Sequence, residues 1–191
     1  MTSFTEYFRR RRHAQAAAPA QTGDRGMPPR ASAPKGPLQP GDLIVAHAPA
    51  EGWDNAAPGL RPTPCIVVWA HKDEAGQLQV TAIPGKRDQG STLRPRDFAL
   101  QNRAEQAHAG LATGYRFDMG EVRKFPWDAR HAAAKTGPRP IGQLDRRAFQ
   151  RASEAYGIAQ RNERLRAETR AENARNNARR KTRRRDAEME A

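Results

Sequence analysis

At 191 residues, 37% hydrophobic and 6% aromatic, the chain is too poor in apolar side chains for a core along its whole length. Its formal charge of +13 is uneven: residues 1–36 hold seven Lys/Arg against two Asp/Glu, and residues 160–191 eleven against six, which is +5 at each end and +3 between. One cysteine excludes an internal disulfide framework, and no apolar run reaches the ~18 residues of a membrane span, so the chain reads as cytoplasmic with no membrane partner.

Residues 1–37 read as a basic N-terminal arm and linker. Ser3 and Glu6 have capping-box spacing, Phe4, Tyr7 and Phe8 share one helical face, and Arg9 to Arg12 follow, with no apolar signal segment after them. Residues 17–37, rich in Ala, Pro and Gly, are spacer. Residues 38–160 read as the folded domain. LIVAHA is a short strand, PAEGWDNAAPGLRP a polar loop, and TPCIVVWAH a β-branched strand of buried type with Trp69 in the core. DEAG is a turn into the alternating QLQVTAIP, and GKRDQGSTLRP is a basic loop before RDFALQ. RAEQAHAGLATG predicts a helical turn stopped by Gly110 or Gly114, and YRFDMGEVRKFPW a final strand bent near Gly120. Five or six short strands with tight turns predict a mainly β fold, a small barrel, because closure removes exposed edges.

Leu144 to Ile158 has helical periodicity, with Asp145 as N-cap and Phe149, Ala152, Tyr156 and Ala159 on the face that packs on the barrel. Residues 161–191 lack any apolar face and read as a charged tail, helical or disordered. Both basic arms are solvated extensions, and phosphate polymers, RNA or DNA, are the partner class their charge suggests.

Five pieces occur in order: Arg61-Pro62-Thr63-Pro64-Cys65 before a hydrophobic strand, the Gly41-Asp42 strand start ahead of it, Phe117-Asp118, Phe125-Pro126-Trp127-Asp128, and Pro140-Ile141-Gly142-Gln143-Leu144. In these the segment from Gly41 to about Tyr156 resembles the PemK/MazF toxin family. The resemblance implies an SH3-like barrel with a C-terminal helix, a homodimer, and metal-independent endoribonuclease activity countered by an antitoxin, here an acidic one. It implies no cofactor and no metal.

Such cleavage needs a group to take the 2′-OH proton, one to protonate the 5′ leaving oxygen, and cations on the phosphorane. The resemblance implies Arg61 and Asp118 as catalytic residues, with Arg123 as a cationic partner of Asp118. Lys86, Arg87, Ser91, Thr92 and Arg123 are the candidate RNA-phosphate contacts, and Trp53 in the long loop is a stacking surface. The chain departs from the family at Pro84-Gly85-Lys86, where a hydroxyl residue is expected: Pro84 has neither a hydroxyl nor a backbone donor. No rival chemistry is better supported. Cys65 reads as a small buried residue, and His47, His71, His108 and His131 are scattered without zinc spacing. Two readings stay open: an RNA-acting toxin-type enzyme, and a non-enzymatic scaffold of the same fold that docks on nucleic acid or a large assembly.

Overall fold

The computed structural model describes residues 37–50, 57–90, 92–133 and 139–189, the segment 179–189 by its backbone. The expected N-terminal helix and linker, Trp53 and Ser91 lie outside the described residues.

Among the described residues, seven strands and two helices follow in the order β1 (Asp42–Ala46), β2 (Thr63–Lys72), β3 (Leu78–Arg87), β4 (Asp97–Leu100), α1 (Arg103–His108), β5 (Tyr115–Asp118), β6 (Arg123–Pro126), β7 (Gly142–Gln143) and α2 (Arg146–Met189). All strand pairs are antiparallel, ordered β4-β5-β3-β2-β1-β7, with β6 also on β3. The result is a mainly β fold, a curled half-barrel with a C-terminal helix, as the strand pattern predicted.

The apolar runs of β1 and β2 are continuous because both faces of the sheet centre are covered. Leu43, Ile66, Val68 and Ile83 pack with Phe98, Leu100, Phe117 and the helix residues Phe149 and Ala152. Ile44, Cys65, Val67 and Val80 pack on the opposite side with Phe125, Trp127 and Ala132. A register shift between Val67 and Trp69 puts an extra residue into β2, which bends the strand and curls the sheet. Trp69 ends up half-buried at the far end of β2, against the expectation that it belongs to the core.

β3 changes partners at Pro84-Gly85. It pairs with β2 as far as Cys65↔Pro84, while its other edge pairs with β6 over Gln79–Ala82 and then with β5 over Gly85–Arg87. Pro84 supplies no ladder donor, so it suits the residue where one pairing stops. Gly85 suits the next position because a Cβ there would lie 2.6 Å from Cε1 of the buried Phe117. The expected single bent strand over residues 115–127 is therefore two strands, β5 and β6, separated at Met119–Val122 and laid end to end along β3.

The helices follow their sequence signals. Asn102 Oδ1 accepts from the Ala104 N–H to start α1, and the backbone reaches φ +73° at Gly110 just after it. Asp145 Oδ1 accepts from the Ala148 N–H at 2.8 Å, the predicted cap of α2. Phe149, Ala152 and Ala159 are buried on the barrel. α2 does not stop near Ile158. It runs on as one helix of 44 residues, because Ala, Arg and Glu are strong helix formers even where nothing packs against them.

Candidate nucleic-acid interface

Successive strand residues point to opposite faces, so Ala82, Pro84 and Lys86 share one side of β3. The register carries that side onto β6 at Arg123, paired with Ala82, and onto β5 at Arg116, paired with Lys86. Two residues further along β5 stands Asp118, directly opposite Asp97 of β4. Lys86, Arg116, Asp118 and Arg123 thus lie on one continuous surface, because β5 and β6 both pair with β3, which carries Lys86.

Two carboxylates face to face across a sheet repel unless neutralised. The Arg94-Pro95-Arg96 turn before β4 does this. Arg94 Nη2 donates to Asp118 Oδ2 at 2.9 Å and its Nε to Asp97 Oδ2 at 3.3 Å. Arg96 Nη2 donates to the same Asp118 oxygen at 2.7 Å, and the Gly120 N–H reaches Asp118 Oδ1 at 3.0 Å. Burial raises the Asp97 carboxyl, but the Arg94 backbone N–H and guanidinium outweigh that and hold it below the usual range. The same partner raises Arg94 further.

Asp118 therefore takes its cations from upstream of β4. The expected pairing with Arg123 is not formed. The Met119–Val122 turn separates the two strands, and the Arg123 guanidinium instead donates to Pro49 O at 3.2 Å and Ala50 O at 3.0 Å, pinning the segment that leaves β1. Glu121 in that turn pairs with Lys86 Nζ at 2.9 Å and stands 3.9 Å from Arg123 Nη2.

Arg61 is on the segment 57–62 just before β2, exposed, with no side-chain hydrogen bond or ion pair among the described residues. His47 holds this segment in place: its carbonyl accepts from the Gly59 N–H at 2.9 Å and its Nδ1 lies 2.9 Å from Gly59 O. Arg61 and Asp118 sit on different segments and do not touch. Arg87 is exposed at the end of β3 opposite Tyr115, and Thr92 is exposed just before Arg94. Lys86, Arg94, Arg96, Arg116 and Arg123 outnumber Asp97, Asp118 and Glu121, and of these cations the ion-paired Lys86 and Arg94 have side chains 66% and 57% accessible. A phosphate can replace an exposed carboxylate partner at small cost, since such surface pairs are weak.

The remaining candidates for chemistry are structural. Burial pushes the Cys65 thiol up to about 12, well away from thiolate at neutral pH. His131, expected to be a loop histidine, is buried: its ring stacks on Phe125 with centroids 5.4 Å apart, and Nδ1 lies 2.9 Å from Asp128 Oδ1. Burial raises Asp128, yet the hydrogen bonds from His131 and Arg130 prevail and hold its carboxyl far below the usual carboxylate range. Among the described residues no three His, Cys, Asp or Glu side chains cluster as metal ligands do, and no helix is long and apolar enough to cross a membrane.

Sequence reasoning missed Arg94, Arg96, Arg116 and Glu121. The Arg-Pro-Arg run before a strand and the alternation Tyr115-Arg116-Phe117-Asp118 are the signals that carried them. No protein family matches this chain by sequence, and no curated protein does. Among solved structures it is similar to an endoribonuclease from Mycobacterial species in complex with its cognate antitoxin, at 14% identity and a TM-score of 0.43, over 65% of this chain and 95% of that one.

Proposed function

We propose that the protein acts on RNA in the manner of a PemK/MazF-like growth inhibitor, with the β3–β5 face as its phosphate-binding surface. The observation that carries this is the convergence of Lys86, Arg94, Arg116 and Arg123 on one face, with an exposed Arg61, unpaired among the described residues, on a segment anchored by His47. Arg87 and Thr92 extend the surface at its edges. In the cleavage reading the ribose 2′-oxygen attacks the adjacent phosphorus, the bond from phosphorus to the 5′-oxygen breaks, and a 2′,3′-cyclic phosphate and a 5′-hydroxyl result. Arg61 stabilises the charge that builds on the phosphorane oxygens. A homodimer, an acidic antitoxin and a cytoplasmic site of action belong to the same reading.

A second reading, binding without cutting, is favoured by two observations. Pro84 stands at the corner of β3 without a hydroxyl, and Asp118 already accepts from Arg94, Arg96 and Gly120. The test is RNA cleavage in EDTA by wild type, Arg61→Ala and Pro84→Thr. The enzymatic reading expects cleavage with cyclic-phosphate ends and a loss of about a hundredfold or more in Arg61→Ala. An inert wild type with an active Pro84→Thr marks a disarmed enzyme. A folded protein inert in both forms, on varied RNAs, leaves the binding reading alone standing.

A further inference from the structure

Among the described side chains the last buried one of α2 is Ala159, and every one from Gln160 to Ala178 is exposed. The helix runs on to Met189, so about 30 residues project roughly 45 Å past the barrel at 1.5 Å per residue. The face of α2 packed on the barrel includes Phe149, Ala152, the partly buried Tyr156 and Ala159, at alternating steps of three and four. Continued beyond Glu163 at those steps, the same face holds Arg166, Arg170, Asn173, Asn177, Arg180 and Arg184, with no acidic and no apolar residue among them. An apolar seam becomes an Arg/Asn seam along one unbroken helix.

Charge is also sorted along it. Residues 160–174 carry four Lys/Arg against three Asp/Glu, residues 175–185 seven against none, and residues 186–191 none against three, giving +1, +7 and −3. In the first stretch Glu163 pairs with Arg170 at 3.1 Å and stands 4.0 Å from Arg166, both arginines being more than half exposed. The +7 block spans about 16 Å of helix and begins about 24 Å beyond Ala159, clear of the barrel.

We propose that this distal part of α2 is a duplex-DNA-binding helix that enters the major groove with its Arg/Asn face. Arg matches guanine and Asn matches adenine in that groove through paired hydrogen bonds, while the flanking cations of the +7 block meet the phosphates. An α-helix with its side chains is about 10–12 Å across and the B-DNA major groove about 12 Å wide, whereas the deep, narrow groove of A-form RNA does not admit it. A second copy of the helix is a poor occupant: no apolar seam exists and +7 would face +7. A lipid surface is equally poor, since there is no apolar face to insert. The proposal is independent of whether the barrel acts on RNA.

The experiment uses the full chain and fluorescence anisotropy with a short labelled DNA duplex, an RNA duplex of the same sequence, and single-stranded RNA, at ~0.15 M salt. The DNA duplex is expected to bind about tenfold or more tighter than the RNA duplex. Arg180→Gln with Arg184→Gln, on the face, is compared with Arg179→Gln with Arg185→Gln, off it, far-UV circular dichroism confirming unchanged helix content. The off-face pair lowers the salt slope by about 2, one per lost phosphate contact, whereas the face pair leaves the slope nearly unchanged and costs about tenfold more in DNA affinity than in RNA affinity. Asn173→Ala with Asn177→Ala keeps the charge and flattens discrimination among DNA sequences. Equal binding of DNA and RNA duplexes, a preference for RNA, or identical losses from the two arginine pairs overturns the proposal.

Discussion

Replacing Asp118 by Asn removes one charge and leaves the shape of the side chain in place. The amide oxygen still accepts from Gly120, but the converging guanidinium groups of Arg94 and Arg96 lose their anion. The Arg94 side chain is 57% exposed, so its half of the interaction is screened and worth about 0.2–1 kcal/mol. Arg96 and Asp118 are 25% and 9% exposed, which places their hydrogen bond among charge-assisted ones worth about 1.5–3 kcal/mol. Because the freed guanidinium groups are partly exposed and regain water, the loss sits at the low end of that sum, about 2 kcal/mol. A core of this size shifts by roughly 3–6 °C per kcal/mol, so Tm falls by roughly 6–12 °C. The assay is thermal melting followed by near-UV circular dichroism, beside RNA binding by anisotropy. RNA binding tightens a few-fold, because two cations on the interface are released from their carboxylate. A variant that melts within about a degree of wild type and binds RNA no better refutes the assignment of Asp118 as the anchor of this turn. A loss of cleavage without any change in melting would return Asp118 to a role in the chemistry itself.

Three further outcomes follow from the geometry. Gly85→Ala forces a Cβ against the Phe117 ring, costing about 1–3 kcal/mol in thermal or urea unfolding, and adding Phe117→Leu recovers part of the loss; an unchanged melt shows the contact is loose. Asp88, Asp97 and Asp128 all sit below the ordinary 3.8 in the folded protein, so their stabilisation is full above that value and is lost as pH falls through their folded values. Melting temperature should hold near neutrality and drop below about pH 4, the drop being shallower in Asp128→Asn. Multi-angle light scattering of the full chain should give a dimer, since a core this small gains from a two-fold interface; a monomer at tens of micromolar excludes it.

The core was legible in the sequence because its signals are local. The β-branched run at Cys65 to Val68 announces a strand, and Phe149, Ala152, Tyr156 and Ala159 repeat at the helical period behind the Asp145 cap. Several residues of the candidate interface were named from the sequence, but its ion pairs were not legible, because they are set by register. Arg94 meets Asp118 across 24 residues, through the pairing of β4 with β5. Arg123, only five residues from Asp118, goes elsewhere because a turn intervenes and β6 lies along a different part of β3. The partner change at Pro84-Gly85 has a local mark in the missing N–H and missing Cβ, but the same mark also suggests a lost functional residue. Nothing local marked the burial of His131, although the Asp-x-x-His spacing with Asp128 allowed their contact.

Strand β7 is two residues long, yet it completes the outer edge of β1: the Ile141 N–H donates to Leu43 O at 2.7 Å and the Leu144 N–H to Gly41 O at 2.9 Å. β1 ends at Ala46 and β7 at Gln143, so 97 residues separate the two during synthesis. At about 5–20 residues per second the ribosome needs roughly 5–20 s to cover that distance. Until residues 131–133 pair with its far end and β7 with the rest, the nascent chain carries an apolar strand with an uncovered edge, a template for pairing with other chains. The last strand to emerge is thus the one that closes this edge against self-association, and slowing elongation between β1 and β7 should raise aggregation of newly made chains without altering the stability of finished ones.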